Sequence, residues 1–267
     1  MSELPNVIED LTAESAALDR VLAGLAAPQW AEQTPAPGWT VAHQVGHLAF
    51  MFRIAGLAAS DPDAFRAMTA SIKGGFNQAV NAALAEYVVL SPAELLARWR
   101  EERAAGIRAL SAVPAGQVVP WLVRPLPPEI LASAGIMETF AHGQDILDAL
   151  ELPRESADRL KYLVLFAVLT WDFGYQARGL TPPDVQFRYE LTAPSGELWA
   201  YGPDSAEQRI TGAALDFCLL VTRRRHRDDC DVTAVGPDAD GWLDIAQAYR
   251  GPAGPGRRPG QFARVPA

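Results

Sequence analysis

PGWTVAHQVGHLAF, residues 37–50, sets two histidines four apart in an otherwise apolar run that follows a Pro-Gly-Trp turn. The pattern predicts a helix with Thr40 as N-cap and an apolar stripe of Val41, Val45, Leu48 and Phe52. Helical residues four apart lie on one face, so His43 and His47 can approach a single point. The chain has only 4 histidines, and one helical turn holds two of them.

A second stretch, GIMETFAHGQDILDAL at 135–150, carries Glu138 and His142 four apart, with Asp145 three further along. These three share one helix face, and Ile136, Phe140, Ile146 and Leu147 supply the other. Two helices that each turn an imidazole inward, one with a carboxylate beside it, are what a helical bundle needs to build a metal site of intermediate hardness. One histidine of the first helix with Glu138 and His142 makes a His2Glu set. Such a set leaves coordination positions open, as catalytic rather than structural zinc requires. No HExxH motif is present, which argues against a zincin-type protease.

Outward from these segments, helical periodicity covers the first 180 residues. It begins at Leu4–Leu25 and includes a capping box at Ser91 with Pro92 at the first helical position and Glu94 at N3. Further helices are expected over about Glu129–Leu150 and Ala157–Ala177. From Asp184 to Gly202 the pattern alternates as two short strands joined by a Pro-Ser-Gly turn. A helix in GAALDFCLLVTRRR, a strand near Asp231–Val235 and a helix in DADGWLDIAQAY follow. Gly and Pro dominate the end of the chain. The expected organisation is a helical bundle over 1–180, a small α/β domain over 181–250, and a strap or disordered tail over 251–267.

TPAPGWTVAHQVGHLAF together with METFAHGQDILDAL resembles the DinB-like, metal-binding helical domain of the mycothiol-dependent maleylpyruvate isomerase family. The resemblance implies a mainly α fold, a four-helix bundle followed by a smaller, sterol-carrier-like α/β domain. It also implies that His47, Glu138 and His142 bind a divalent metal, usually zinc. It leaves His43 to support the site or touch substrate. Asp145 could receive a ring N–H from a ligand histidine, or be a solvated helix-face residue. In the α/β domain, Arg223 opens the run Arg223, Arg224, Arg225, His226, Arg227; it best matches an arginine that the family's isomerases use, with a solvated helix end as the plainer reading. Part of this domain also resembles a C-terminal domain of wyosine-forming tRNA enzymes.

The activity implied is isomerisation or S-transfer on a small electrophilic substrate, with mycothiol, a low-molecular-weight thiol, as co-substrate. A thiol-independent metal-dependent cyclase, lyase or hydrolase and a non-catalytic metal- or ligand-binding module are the alternatives. A net charge of -9 argues against a nucleic-acid partner. The longest apolar run, Tyr162–Trp171, is too short for a membrane span, which takes roughly 20 residues. The opening residues lack the features of a signal peptide, so Cys218 and Cys230 are expected as free thiols in a cytoplasmic protein.

Overall fold

A computed structural model describes residues 4–72, 76–122 and 124–262. The chain divides into two compact units between Leu152 and Pro153.

The first unit is helical: α1 (Leu4–Ala23), α2 (Val41–Ser60), α3 (Pro62–Ser71), α4 (Phe76–Val88), α5 (Pro92–Ser111) and α6 (Pro128–Ala149). Four of these form a ring in which α2 packs on α5 and α6, and α1 closes the other side against the same two helices. Helices α3 and α4 pack on α2. The caps explain where the main helices begin. Thr40 starts α2, Ser91 starts α5 with the expected reciprocal bonds to Glu94, and Asp61 caps α3 ahead of Pro62. The core runs through Leu11, Val45, Leu48, Trp99 and Phe140, all fully buried, with the Phe52 ring edge-on to Trp99 at 5.4 Å. Where α2 crosses α5, Gly56 faces Gly106, and a Cβ on Gly106 would lie 2.6 Å from the Phe52 carbonyl oxygen. Only glycine admits backbones this close.

The second unit comprises α7 (Lys161–Leu169), α8 (Phe173–Gln176), β1 (Phe187–Thr192), β2 (Leu198–Tyr201), β3 (Gln208–Ala213), α9 (Ala214–Val221), β4 (Val232–Val235) and α10 (Pro237–Ile245). Its sheet runs β2-β1-β3-β4, with β1 antiparallel to β2 and parallel to β3, and β3 antiparallel to β4. Phe187, Tyr189 and Ile210 bury one face, and Phe217 of α9 and Trp242 of α10 complete an aromatic core in which those two rings stack at 6.1 Å.

A helical part followed by a small α/β part is thus the observed fold class. The division differs from the expected residue 180. α7 packs on α9 and β2, and the Trp242 indole N–H bonds the Trp171 carbonyl at 2.8 Å, so residues 153–180 belong with the sheet. The expected helix 157–177 is broken at Thr170, whose hydroxyl turns back to the Phe166 carbonyl. Strand β3 gave no clear alternation; its Gly212 sits at φ 150 with the Asp231 carbonyl against it, where no side chain fits. Residues 251–262 carry no regular element and lie as a strap, tied by the Gly260 N–H to Asp229 and by Phe262 beneath the Arg225 guanidinium.

Candidate metal centre

Residues 32–41 lead into α2 as a tight loop, with Gln33 bridged to Thr40 and the Val41 N–H bonded to the Glu32 carbonyl. The Thr34 N–H and hydroxyl both bond the Trp39 carbonyl, at 2.8 and 2.7 Å. This loop holds the Trp39 ring beside two imidazoles, stacked on His142 at 5.7 Å and tilted against His47 at 5.4 Å.

His47 projects from α2, and Glu138 and His142 from α6. Their three ligand atoms lie within 4.8 Å of one another. Glu138 Oε2 is 3.4 Å from His47 Nε2 and 3.2 Å from His142 Nε2. The site is sheltered, with His47 8% exposed. Burial pushes the Glu138 carboxyl up, but hydrogen bonds and positive charge from His142 and His47 outweigh it and hold the group well below the ordinary carboxylate range. Two imidazoles and a carboxylate from two packed helices suit a borderline divalent ion. His47 Nδ1 is buried with no hydrogen-bond partner among the described residues. Its ring is held by its contacts with the Trp39 and His142 rings and through Nε2.

His43 does not join the three. It is the N3 residue of the α2 capping box, with its backbone N–H on Thr40 Oγ1 and its ring Nδ1 2.7 Å from the same hydroxyl. Partial burial lowers its pKa. Asp145 is fully buried rather than solvated, and its Oδ2 meets Gln44 Nε2 at 3.4 Å. Gln44 Oε1 lies 2.5 Å from His142 Nδ1. Gln44 also donates to Thr34 Oγ1 at 2.8 Å. Sequence reasoning passed over Gln44, although a polar residue between Val41 and Val45 on the buried side of α2 is a readable signal. Arg223 lies in the second unit, in the left-handed region at φ 59 just after α9, with its guanidinium against Gly256.

A family model described as the mycothiol maleylpyruvate isomerase N-terminal domain matches residues 11–147, which include Trp39, His47, Glu138 and His142. The chain belongs to the mycothiol-dependent maleylpyruvate isomerase family. A second model, wyosine base formation, matches residues 183–235. Among family relatives, uncharacterized proteins of two Mycobacterium tuberculosis strains are 45% identical over 250 residues, spanning 94% of this chain and 97% of theirs. The crystal structure of a mycothiol-dependent maleylpyruvate isomerase aligns with TM-score 0.56 at 15% identity, over 88% of this chain and 95% of its own. A histidine-to-alanine mutant of that enzyme aligns with TM-score 0.58 at 16% identity and the same coverage. These likenesses establish the fold. Among the described residues, no single helix is long and apolar enough to cross a membrane.

Proposed function

We propose that the chain is a divalent-metal-dependent enzyme that uses a low-molecular-weight thiol of the mycothiol type to isomerise, or transfer sulfur to, a small electrophilic substrate. The observation that carries this reading is the convergence of His47, Glu138 and His142 within 4.8 Å, on helices inside the matched family domain. Zinc fits the donor set, and such an ion supplies a Lewis acid that keeps a thiol deprotonated near neutral pH.

The protein's own groups do the rest. His47 and His142 offer neutral nitrogens and Glu138 one negative charge, so the set leaves net positive charge on a divalent ion and room for an incoming ligand. Trp39, beside both imidazoles, limits water access on its side and offers an aromatic face to a ligand. Arg223 is proposed to hold a substrate carboxylate through its planar fork.

The test is metal analysis followed by thiol titration of cobalt-substituted protein. Near-stoichiometric metal, lost in His47→Ala and in His142→Ala, and a thiolate-to-cobalt charge-transfer band on adding thiol are expected. Full metal retention in both variants overturns the ligand assignment. A cobalt spectrum unmoved by thiol overturns the thiol half of the proposal and leaves a thiol-free metal enzyme.

A further inference from the structure

Helix α9 ends at Val221 in a Schellman turn: the Arg223 N–H bonds the Leu220 carbonyl and the Arg224 N–H bonds the Leu219 carbonyl, both at 2.8 Å. The left-handed position of such a turn ordinarily falls to glycine, and here it is Arg223, at φ 59. The side chain makes no compensating bond. Its guanidinium has no hydrogen bond or ion pair among the described residues, and its Nε is buried without a partner. Arg178 lies within electrostatic reach, and it too has no carboxylate partner among the described residues; its Nη1 donates to the Gly174 and Ile245 carbonyls at 2.9 and 3.1 Å. Burial and the positive charge of Arg223 lower the Arg178 pKa. An unpaired arginine on strained backbone, with a second cation nearby, is placed for an anion that arrives from outside.

The segment after α10 limits where that guanidinium can lie. Its start is held beside α9, where the Ala248 N–H bonds the Val221 carbonyl at 2.8 Å and the buried Gln247 donates from Nε2 to the Tyr249 and Gly251 carbonyls at 2.9 and 3.1 Å. Its end is held by the Gly260 N–H, 2.9 Å from each Asp229 carboxylate oxygen, and by the Phe262 ring, whose centroid is 4.5 Å from the Arg225 guanidinium carbon. Between these anchors Gly256 lies against Arg223. A Cβ on Gly256 would stand 2.6 Å from Arg223 Nη2, 3.4 Å from Cζ and 3.9 Å from Nε, so the three nearest atoms all belong to the guanidinium. We propose that Gly256 is a positioning residue, a backbone wall carried by the strap that fixes the Arg223 guanidinium to receive a carboxylate. Only the choice of a carboxylate rests on the reading of Arg223 given above. The left-handed turn aims the side chain from one end and the wall stops it at the other. The planar fork is thereby ordered in advance, and little rotamer freedom remains to be lost when an anion binds.

The experiment follows the Nε–Hε signals of 15N-arginine in the full-length protein, identifies that of Arg223 by its loss in Arg223→Lys, and titrates malonate as the carboxylate probe. Wild type is expected to show a rigid Arg223 Nε whose signal moves with malonate. Gly256→Ala should displace and loosen that signal and weaken malonate, read at Arg223, by about 10-fold, the equivalent of one charge-assisted hydrogen bond. Gly254→Ala is the control: Gly254 sits at φ 60 against φ 70 for Gly256, so the backbone strain is alike, but a Cβ there meets nothing within 4 Å. It should leave signal and affinity unchanged. Arg223→Gly should abolish the malonate response with no loss of Tm, because glycine suits the turn. An Arg223 signal unchanged in Gly256→Ala, or changed as much in Gly254→Ala, overturns the proposal, as does a marked fall in Tm in Arg223→Gly, the mark of a purely structural arginine. If Gly256→Ala does not fold, a chain ending at Arg250 carries the test, with a mobile Arg223 Nε expected and a rigid one overturning the proposal. Wild type that ignores malonate, its Arg223 signal still displaced by Gly256→Ala and not by Gly254→Ala, overturns the carboxylate reading and supports the positioning.

Discussion

Gly106→Ala sets two effects of known size against each other. In a helix interior alanine is favoured over glycine by about 1 kcal/mol, so propensity alone forecasts a more stable protein. The added Cβ would stand 2.6 Å from the Phe52 carbonyl oxygen and 3.3 Å from the Phe52 carbonyl carbon. The obstacle is backbone, so no side chain can swing aside. Overpacking of this kind costs about 1–3 kcal/mol, and a contact this short belongs at the upper end. The expected net loss is about 2 kcal/mol, or a fall in Tm of about 4–8 °C for a unit of this size. Gly241→Ala is the control, because a Cβ there meets nothing within 4 Å. It should stabilise the second unit by about 0.5–1 kcal/mol. Urea unfolding with separate probes of the two units measures both changes. The substitution also reaches the proposed metal centre, since α2 must withdraw from α5 while carrying His47, and metal distances tolerate only about 0.2 Å. Gly106→Ala as stable as wild type, with metal affinity unchanged, would refute the reasoning.

The Tyr87 hydroxyl is buried without a hydrogen-bond partner among the described residues, and burial pushes its pKa up to about 12. Burial penalises only the phenolate, so from the ordinary value of about 10 upward the unfolded chain ionises while the folded one resists, and stability falls as pH climbs toward the folded value. Tyr87→Phe should therefore match or exceed wild-type stability at pH 7 and flatten the alkaline fall in Tm, and a lower Tm at pH 7 would count against this account. If His47 and His142 hold the metal as proposed, Trp39→Phe should remove most of the tryptophan quenching caused by cobalt binding, because Trp39 packs against both of those imidazoles; undiminished quenching would contradict that reading. Limited proteolysis should cut within 151–158, mostly exposed and free of regular structure over 152–157, before the bundle helices, and early cleavage inside α6 would contradict the division at Leu152.

The helical part was legible because its caps are chemically explicit. Thr40, Ser91 and Pro92 fix helix starts within a residue, and the i, i+4 spacing of Glu138 and His142 places both on one face before any tertiary contact is known. The unit boundary was not legible, since α7 is as apolar as a bundle helix and only the aromatic partners beyond residue 186 determine where it packs. His43 and His47 are equivalent by spacing. They differ because His43 falls at N3, where the unsatisfied end of the helix draws its ring back to Thr40. Gln44 became interpretable only through partners at Thr34, Asp145 and His142, two of which lie about a hundred positions away.

His47 and Glu138 are separated by 91 positions in the chain. The unfolded polypeptide holds no such site, so an ion bound there binds the folded form alone and acts as a clasp between the early and late helices of the bundle. At a free concentration one hundred times its dissociation constant, such an ion adds about 2.7 kcal/mol to folding. On the proposed metal reading, the supply of metal would then set what share of the molecules is folded as well as whether they work.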